Sequence, residues 1–206
     1  MSLSLEVFAA QPDRLQRAIG SRDARLLHGV RTTFAGQWAH DDDYWAEEIA
    51  AGAPTSSSAV RAVLGGGPFD ERYGHLYGSA FKNICWFLFT DYELSDEYFS
   101  GFRSGWLVEV DKGLRQLGIT TPQLDDLVFS GMPDPLPHSE GIGYGAWDTA
   151  TCRAGLAEWQ ASSAQQRAEL HPEVLGAVEN CVEWMTEAVL LSDQTPEEFG
   201  VVAFLV

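Results

Sequence analysis

Positive charge is scarce in this chain. Two lysines and eleven arginines face thirty aspartates and glutamates, for a formal charge of −17 on 206 residues. Such a surface repels polyanions, so nucleic acid and anionic membranes are not expected partners, whereas a cation or a basic protein is favoured. Cysteine is sparse as well: Cys85, Cys152 and Cys181 are odd in number, widely spaced and set in apolar, helix-like runs. This argues against a disulfide framework and predicts buried free thiols in a reducing compartment, the cytoplasm. No apolar run approaches the roughly 18 residues of a membrane span. The opening MSLSLEVFAAQPDRL has neither a basic leader nor an apolar stretch long enough for secretion.

Catalytic signatures are missing too. There is no cysteine pair at zinc spacing, no HExxH and no GxSxG. The run Gly65–Gly67 lacks the Lys and Ser/Thr of a phosphate loop. No cofactor and no metal is expected.

Aromatic residues, by contrast, are plentiful, with seven Trp, eleven Phe and six Tyr in a chain that is 45% hydrophobic. At this length about 70% of the unfolded surface can be buried. A single folded domain over 1–206, with the acids as a solubilising coat, is the first reading of that composition, and a helical body with a small appendage is the second.

Periodicity gives the elements. Leu3, Leu5 and Val7 alternate with polar residues, predicting a half-buried opening strand, and GVVAFLV at 200–206 predicts a closing one. Between them lie helical patterns. Pro12 opens a short helix, Leu26 to Phe34 mark a second, and Tyr44 to Ala51 a third. A buried helix is predicted over 76–89 and another from Arg103 to Leu117. A short segment capped by Thr121-Pro122 follows, a helix restarts at Trp147, and the longest opens at Pro172. APTSSSA reads as a turn, LGGGPFDERYG as flexible, and Pro133, Pro135 and Pro137 make 130–145 an extended loop. Thr195, Pro196 and Glu198 resemble a capping box for a last turn. Neither terminal strand can satisfy its backbone alone, so the expectation is an α+β domain, predominantly helical, with both termini in one small sheet.

Several residues are candidates for binding. Arg103 falls on the apolar stripe with Trp106 and Val110, in a helix first turn whose partial positive charge disfavours a guanidinium. It therefore calls for a carboxylate from Asp91, Glu93, Asp96 or Glu97, or for a bound anion at a cleft edge. His75 stands near Tyr77, where imidazole and phenol can move a proton or hold a polar ligand; packing against backbone groups is the plainer account. In SEGIGYG, Glu140 and Tyr144 flank glycines that permit close backbone approach, for a ligand or simply for a tight loop. His40 and Asp41–Asp43 suit a metal only with helpers such as Glu47 or His75, and otherwise form a solvated acidic cap. The candidate ligand-binding set is His75, Tyr77, Arg103, Trp106, Glu140 and Tyr144, and no catalytic residue is assigned.

The stretches YGHLYGSAFKNICWFL, FRSGWLVEVDKGL and LPHSEGIGYGAW resemble a group of uncharacterised actinobacterial proteins. In layout the chain is more distantly similar to the YfbM-like small bacterial proteins of unknown function. That resemblance implies an acidic cytoplasmic α+β protein and carries no activity, cofactor or site residue onto this sequence. The expected function is an acidic protein-binding or regulatory protein engaging a basic partner. The alternative is a small-molecule sensor or enzyme using a cleft lined by His, Tyr and Arg. The sequence does not fix the oligomeric state.

Overall fold

A computed structural model describes residues 2–206 of the chain. Strand β1 (Leu5–Ala10) leads into α1 (Pro12–Ala18), α2 (Ala24–Tyr44), α3 (Ala46–Ala50), α4 (Ser56–Gly65) and α5 (Gly74–Phe89). Helices α6 (Trp106–Gln116) and α7 (Leu124–Phe129) precede β2 (Gly143–Trp147), and α8 (Thr149–Ala161), α9 (Ala164–Ala168), α10 (Pro172–Gln194) and β3 (Gly200–Leu205) complete the chain. The protein is mostly helical, with one small sheet that contains both terminal strands. Two compact units share the chain: one holds the segments up to Pro12, Asp91–Ser130 and Gly143–Val206, the other Asp13–Thr90 and Gly131–Ile142.

In the first unit β3 is the central strand, antiparallel to β1 and to β2. Leu5 faces Leu205, and Gly143 faces Leu205 from the other side. All six residues of β3 are buried, which is why its apolar side chains run without alternation. The same applies to β1, where only Glu6 is not buried, so the expected half-exposed strand is instead an almost wholly interior one. Leu3 lies outside it, in a bridge to Phe102. The alternate positions Leu5, Val7, Val201 and Ala203 join a core with Val110 of α6, Leu127 of α7 and Trp184 of α10.

The third strand was not expected. Residues 143–145 read as loop and Trp147 as the restart of a helix, but β2 runs through both and α8 begins after Asp148, whose carboxylate caps Thr151 N at 2.7 Å. Gly143 and Gly145 explain the misreading. A Cβ on Gly143 would sit 2.5 Å from the carbonyl oxygen of Val128, and one on Gly145 would strike the carbonyls of Asp126 and Leu127. These glycines let the backbone of α7 lie directly on the strand.

In the second unit α2, α4 and α5 pack on one another. Phe34 of α2 meets Trp86 of α5 edge-on at 5.3 Å. Helix α4 replaces the expected turn: Thr55 caps it by accepting from Ser58 N, and Ala59, Val60, Val63 and Leu64 form a buried stripe just beyond the serines. Helix α2 is 21 residues long and continues through His40 and Asp41–Asp43. Three further boundaries differ from expectation. Thr121-Pro122 does not cap α7, Thr195 closes α10 rather than opening a last turn, and Arg103 lies ahead of α6, whose first flanking residue is Gly105 at φ 97°. Among the described residues no helix is long and apolar enough to cross a membrane.

Candidate functional site

Three of the sequence-selected residues belong to the second unit. His75 sits in the first turn of α5, its ring tilted on that of Trp45 at 4.7 Å. Its Nε2 lies 3.3 Å from Glu48 Oε2 but out of line for a hydrogen bond, so this buried nitrogen has no hydrogen-bond partner. Glu140 is exposed and lines the same cleft of about 500 Å³ as His75, together with His138, Glu71 and Arg72. The 138–139 backbone reaches this wall because residue 74 is glycine; a Cβ there would strike the carbonyl of His138. Arg72 is already held by Asp70, whose carboxylate it pulls below the usual range. Tyr77 does not join them: it is buried, its hydroxyl accepts from Asp70 N at 3.4 Å, and its ring packs edge-on to Phe69.

The other three belong to the first unit. Trp106 spends its indole N–H on the carbonyl of Tyr98 at 2.8 Å. Tyr144 is a β2 residue whose ring packs tilted on that of Phe204 of β3, with centroids 5.3 Å apart. Arg103 is exposed, and among the described residues no carboxylate lies within ion-pair distance of it. Its expected place on a buried stripe is corrected by the αL residue at 105, which starts the helix three positions later.

His40 and Asp41–Asp43 form no metal cluster; among the described residues no such group exists. Asp42 instead accepts from Ser56 N and Ser56 Oγ, both at 2.7 Å, and burial pushes the Asp41 carboxyl up. The three cysteines are buried, and burial raises the Cys152 thiol to about 12 and Cys181 well above its usual value. Neither of these two is a nucleophile near neutral pH.

One site escaped the sequence reading. In the first unit, Asp91 and Glu93 from the segment before α6 and Glu183 and Glu187 from α10 surround a cavity of about 270 Å³ that no lysine or arginine lines. Asn180 forms its inner wall and is 4% exposed. Its Nδ2 donates to the carbonyl of Ser95 at 3.2 Å and to Glu183 Oε2 at 3.4 Å, while its Oδ1 is buried without a partner. Trp184 Nε1 donates to the same Ser95 carbonyl at 2.6 Å and so pins the facing segment to α10. Residues 180, 183, 184 and 187 share one helix face, which places two carboxylates and the buried Asn180 oxygen in the lining of the same cavity. Such a wall has acceptors in excess and offers them to a ligand rich in N–H donors. The signal for it was an asparagine on the buried stripe of α10, beside Cys181.

Residues 1–205 match the family model DUF7691, described as a domain of unknown function, and the chain belongs to that family. No curated protein and no solved structure matches the chain.

Proposed function

We propose that this protein binds, and by binding regulates, a basic partner, with the Asn180 cavity as its anchoring point. The observation that carries this is the unpartnered Asn180 Oδ1 set among four carboxylates. An isolated buried acceptor costs free energy until a donor reaches it. The charge of −17 supports the same reading, because it accelerates encounter with a cationic surface at low salt. Cytoplasmic residence belongs to the proposal and is supported by the buried thiols of Cys152 and Cys181, which form no disulfide. So do a single domain over 1–206, which one family model over 1–205 supports, and the likeness to actinobacterial and YfbM-like proteins, which rests on the quoted stretches alone.

The test is calorimetric titration of the full chain with hexa-arginine at about 25 and 150 mM salt. Saturable binding is expected, weaker at high salt, and weakened about tenfold by Glu183→Gln/Glu187→Gln if each lost pair contributes roughly 0.7 kcal/mol. Equal affinity of the double variant, or equal binding of hexa-glutamate, removes the reading.

A second reading has one observation in its favour. The Nε2 of His75, which makes no hydrogen bond although Glu48 lies 3.3 Å away, belongs to a residue lining the cleft shared with Glu140 and fits a small polar molecule with a hydroxyl or carboxylate. Unchanged imidazole NMR shifts of His75 across a panel of small hydroxy acids would remove it.

A further inference from the structure

The second unit carries a concavity of the opposite charge. Arg14 and Arg17 of α1 and Arg25 of α2 line a cleft of about 460 Å³ whose floor includes Leu26, Phe87 and Leu88. Three guanidinium groups around one opening stand out in a chain with thirteen cations against thirty acids. Among the described residues no carboxylate lies within ion-pair distance of any of the three. Asp23 lines the cleft too, but its Oδ1 is committed to capping α2, accepting from Arg25 N at 2.8 Å and Leu26 N at 3.1 Å. Arg14 is held over the ring of Phe89 at 5.4 Å, which fixes one head while leaving its N–H fork unmatched by any acid.

Like charges gathered this way repel one another, and an oxyanion at the centre reverses the sign of that energy. The floor sets the second requirement. Leu26, Phe87 and Leu88 are only half-buried, so apolar surface stays in contact with water beside the charged rim. A simple inorganic anion satisfies the rim alone, and a hydrocarbon satisfies the floor alone.

We propose that this cleft binds a small amphipathic anion: a carboxylate or phosphate head engages Arg14, Arg17 and Arg25, and a compact apolar body covers Leu26, Phe87 and Leu88. This site shares no residue with the Asn180 cavity and stands whether or not a basic partner binds there.

The test titrates the full chain with octyl phosphate and with octanoate, both below micelle formation, and with inorganic phosphate and octanol as single-feature controls. One saturable site is expected for an amphiphile, with each control at least tenfold weaker. Octyl phosphate and octanoate share the tail, so the tighter of the two identifies the head. Arg14→Gln/Arg17→Gln/Arg25→Gln should weaken binding about tenfold or more. The single variants Arg17→Gln and Arg25→Gln repeat the measurement with less change should the triple variant melt early. Wild-type affinity in the arginine variants, inorganic phosphate as tight as octyl phosphate, several equivalent sites, or hexa-glutamate displacing the amphiphile at equal concentration would each overturn the assignment.

Discussion

Replacing Asp111 tests how α6 holds α7 against the sheet. Asp111 is 4% exposed and accepts from the backbone amides of Leu124 at 2.8 Å and Asp125 at 3.4 Å, the first amides of α7. The residue flanking that helix, Gln123, supplies no side-chain cap of its own. Alanine at 111 leaves the Leu124 N–H without an acceptor in a residue of zero exposure. A buried donor left unsatisfied costs about 1–3 kcal/mol, and a lost cap about 0.5–2 kcal/mol. Both figures describe the same N–H and do not add, so about 2 kcal/mol is the working value. At about 2–4 °C per kcal/mol for a chain of this size, Asp111→Ala should lower the melting temperature by about 4–8 °C. Asp111→Asn keeps one carbonyl acceptor and should lower it by less than half as much.

The same residue gives a pH signature. Burial raises the Asp111 carboxyl, with the amides of Leu124 and Asp125 opposing the rise. A carboxyl raised in the folded state contributes stability that is complete below the ordinary aspartate value, about 3.9, and is lost as pH climbs through the folded value. Wild-type protein should lose that component as pH rises from the ordinary aspartate value through the raised folded one, and Asp111→Asn should lack it. Calorimetric scans across the acid range read both effects. A melting temperature for Asp111→Ala within about 2 °C of wild type, less than 1 kcal/mol on the same scale, would refute the capping argument. An unchanged pH slope in Asp111→Asn would refute the burial argument.

Two further outcomes follow from the packing. Gly145→Ala drives a methyl into the carbonyls of Asp126 and Leu127 and should cost about 1–3 kcal/mol, read as a lower urea midpoint; an unmoved midpoint means the seam between α7 and β2 has slack. Glu158 is raised by burial but pulled net below the usual range by four hydrogen bonds from the amides and hydroxyls of Thr120 and Thr121. Its contribution is therefore present above the ordinary glutamate value and lost as pH falls through the lowered one, and Glu158→Gln should flatten that acid loss.

The helices with long apolar stripes were legible, and so were the terminal strands: α5, α10 and β3 sit where periodicity placed them. Elements built from small residues were not. Helix α4 hides behind Thr55 and three serines, whose turn preference masks the stripe that follows. Strand β2 hides behind Gly143 and Gly145, whose role is visible only once the carbonyls of α7 lie against them. Sites were harder still. Asp91 and Glu93 stood out as acids near Arg103, yet in space they face Glu183 and Glu187, some ninety positions further along the chain. Convergence of that kind depends on tertiary packing, and no local spacing encodes it.

The pairing of Leu5 with Leu205 also has a consequence in time. A ribosome working at roughly 5–20 residues per second makes the partner of the first strand about 10–40 s after the strand itself. Through that interval an apolar ribbon waits with open backbone groups on the nascent chain. Chaperone demand for this protein should therefore persist until β3 has been made and can pair with β1.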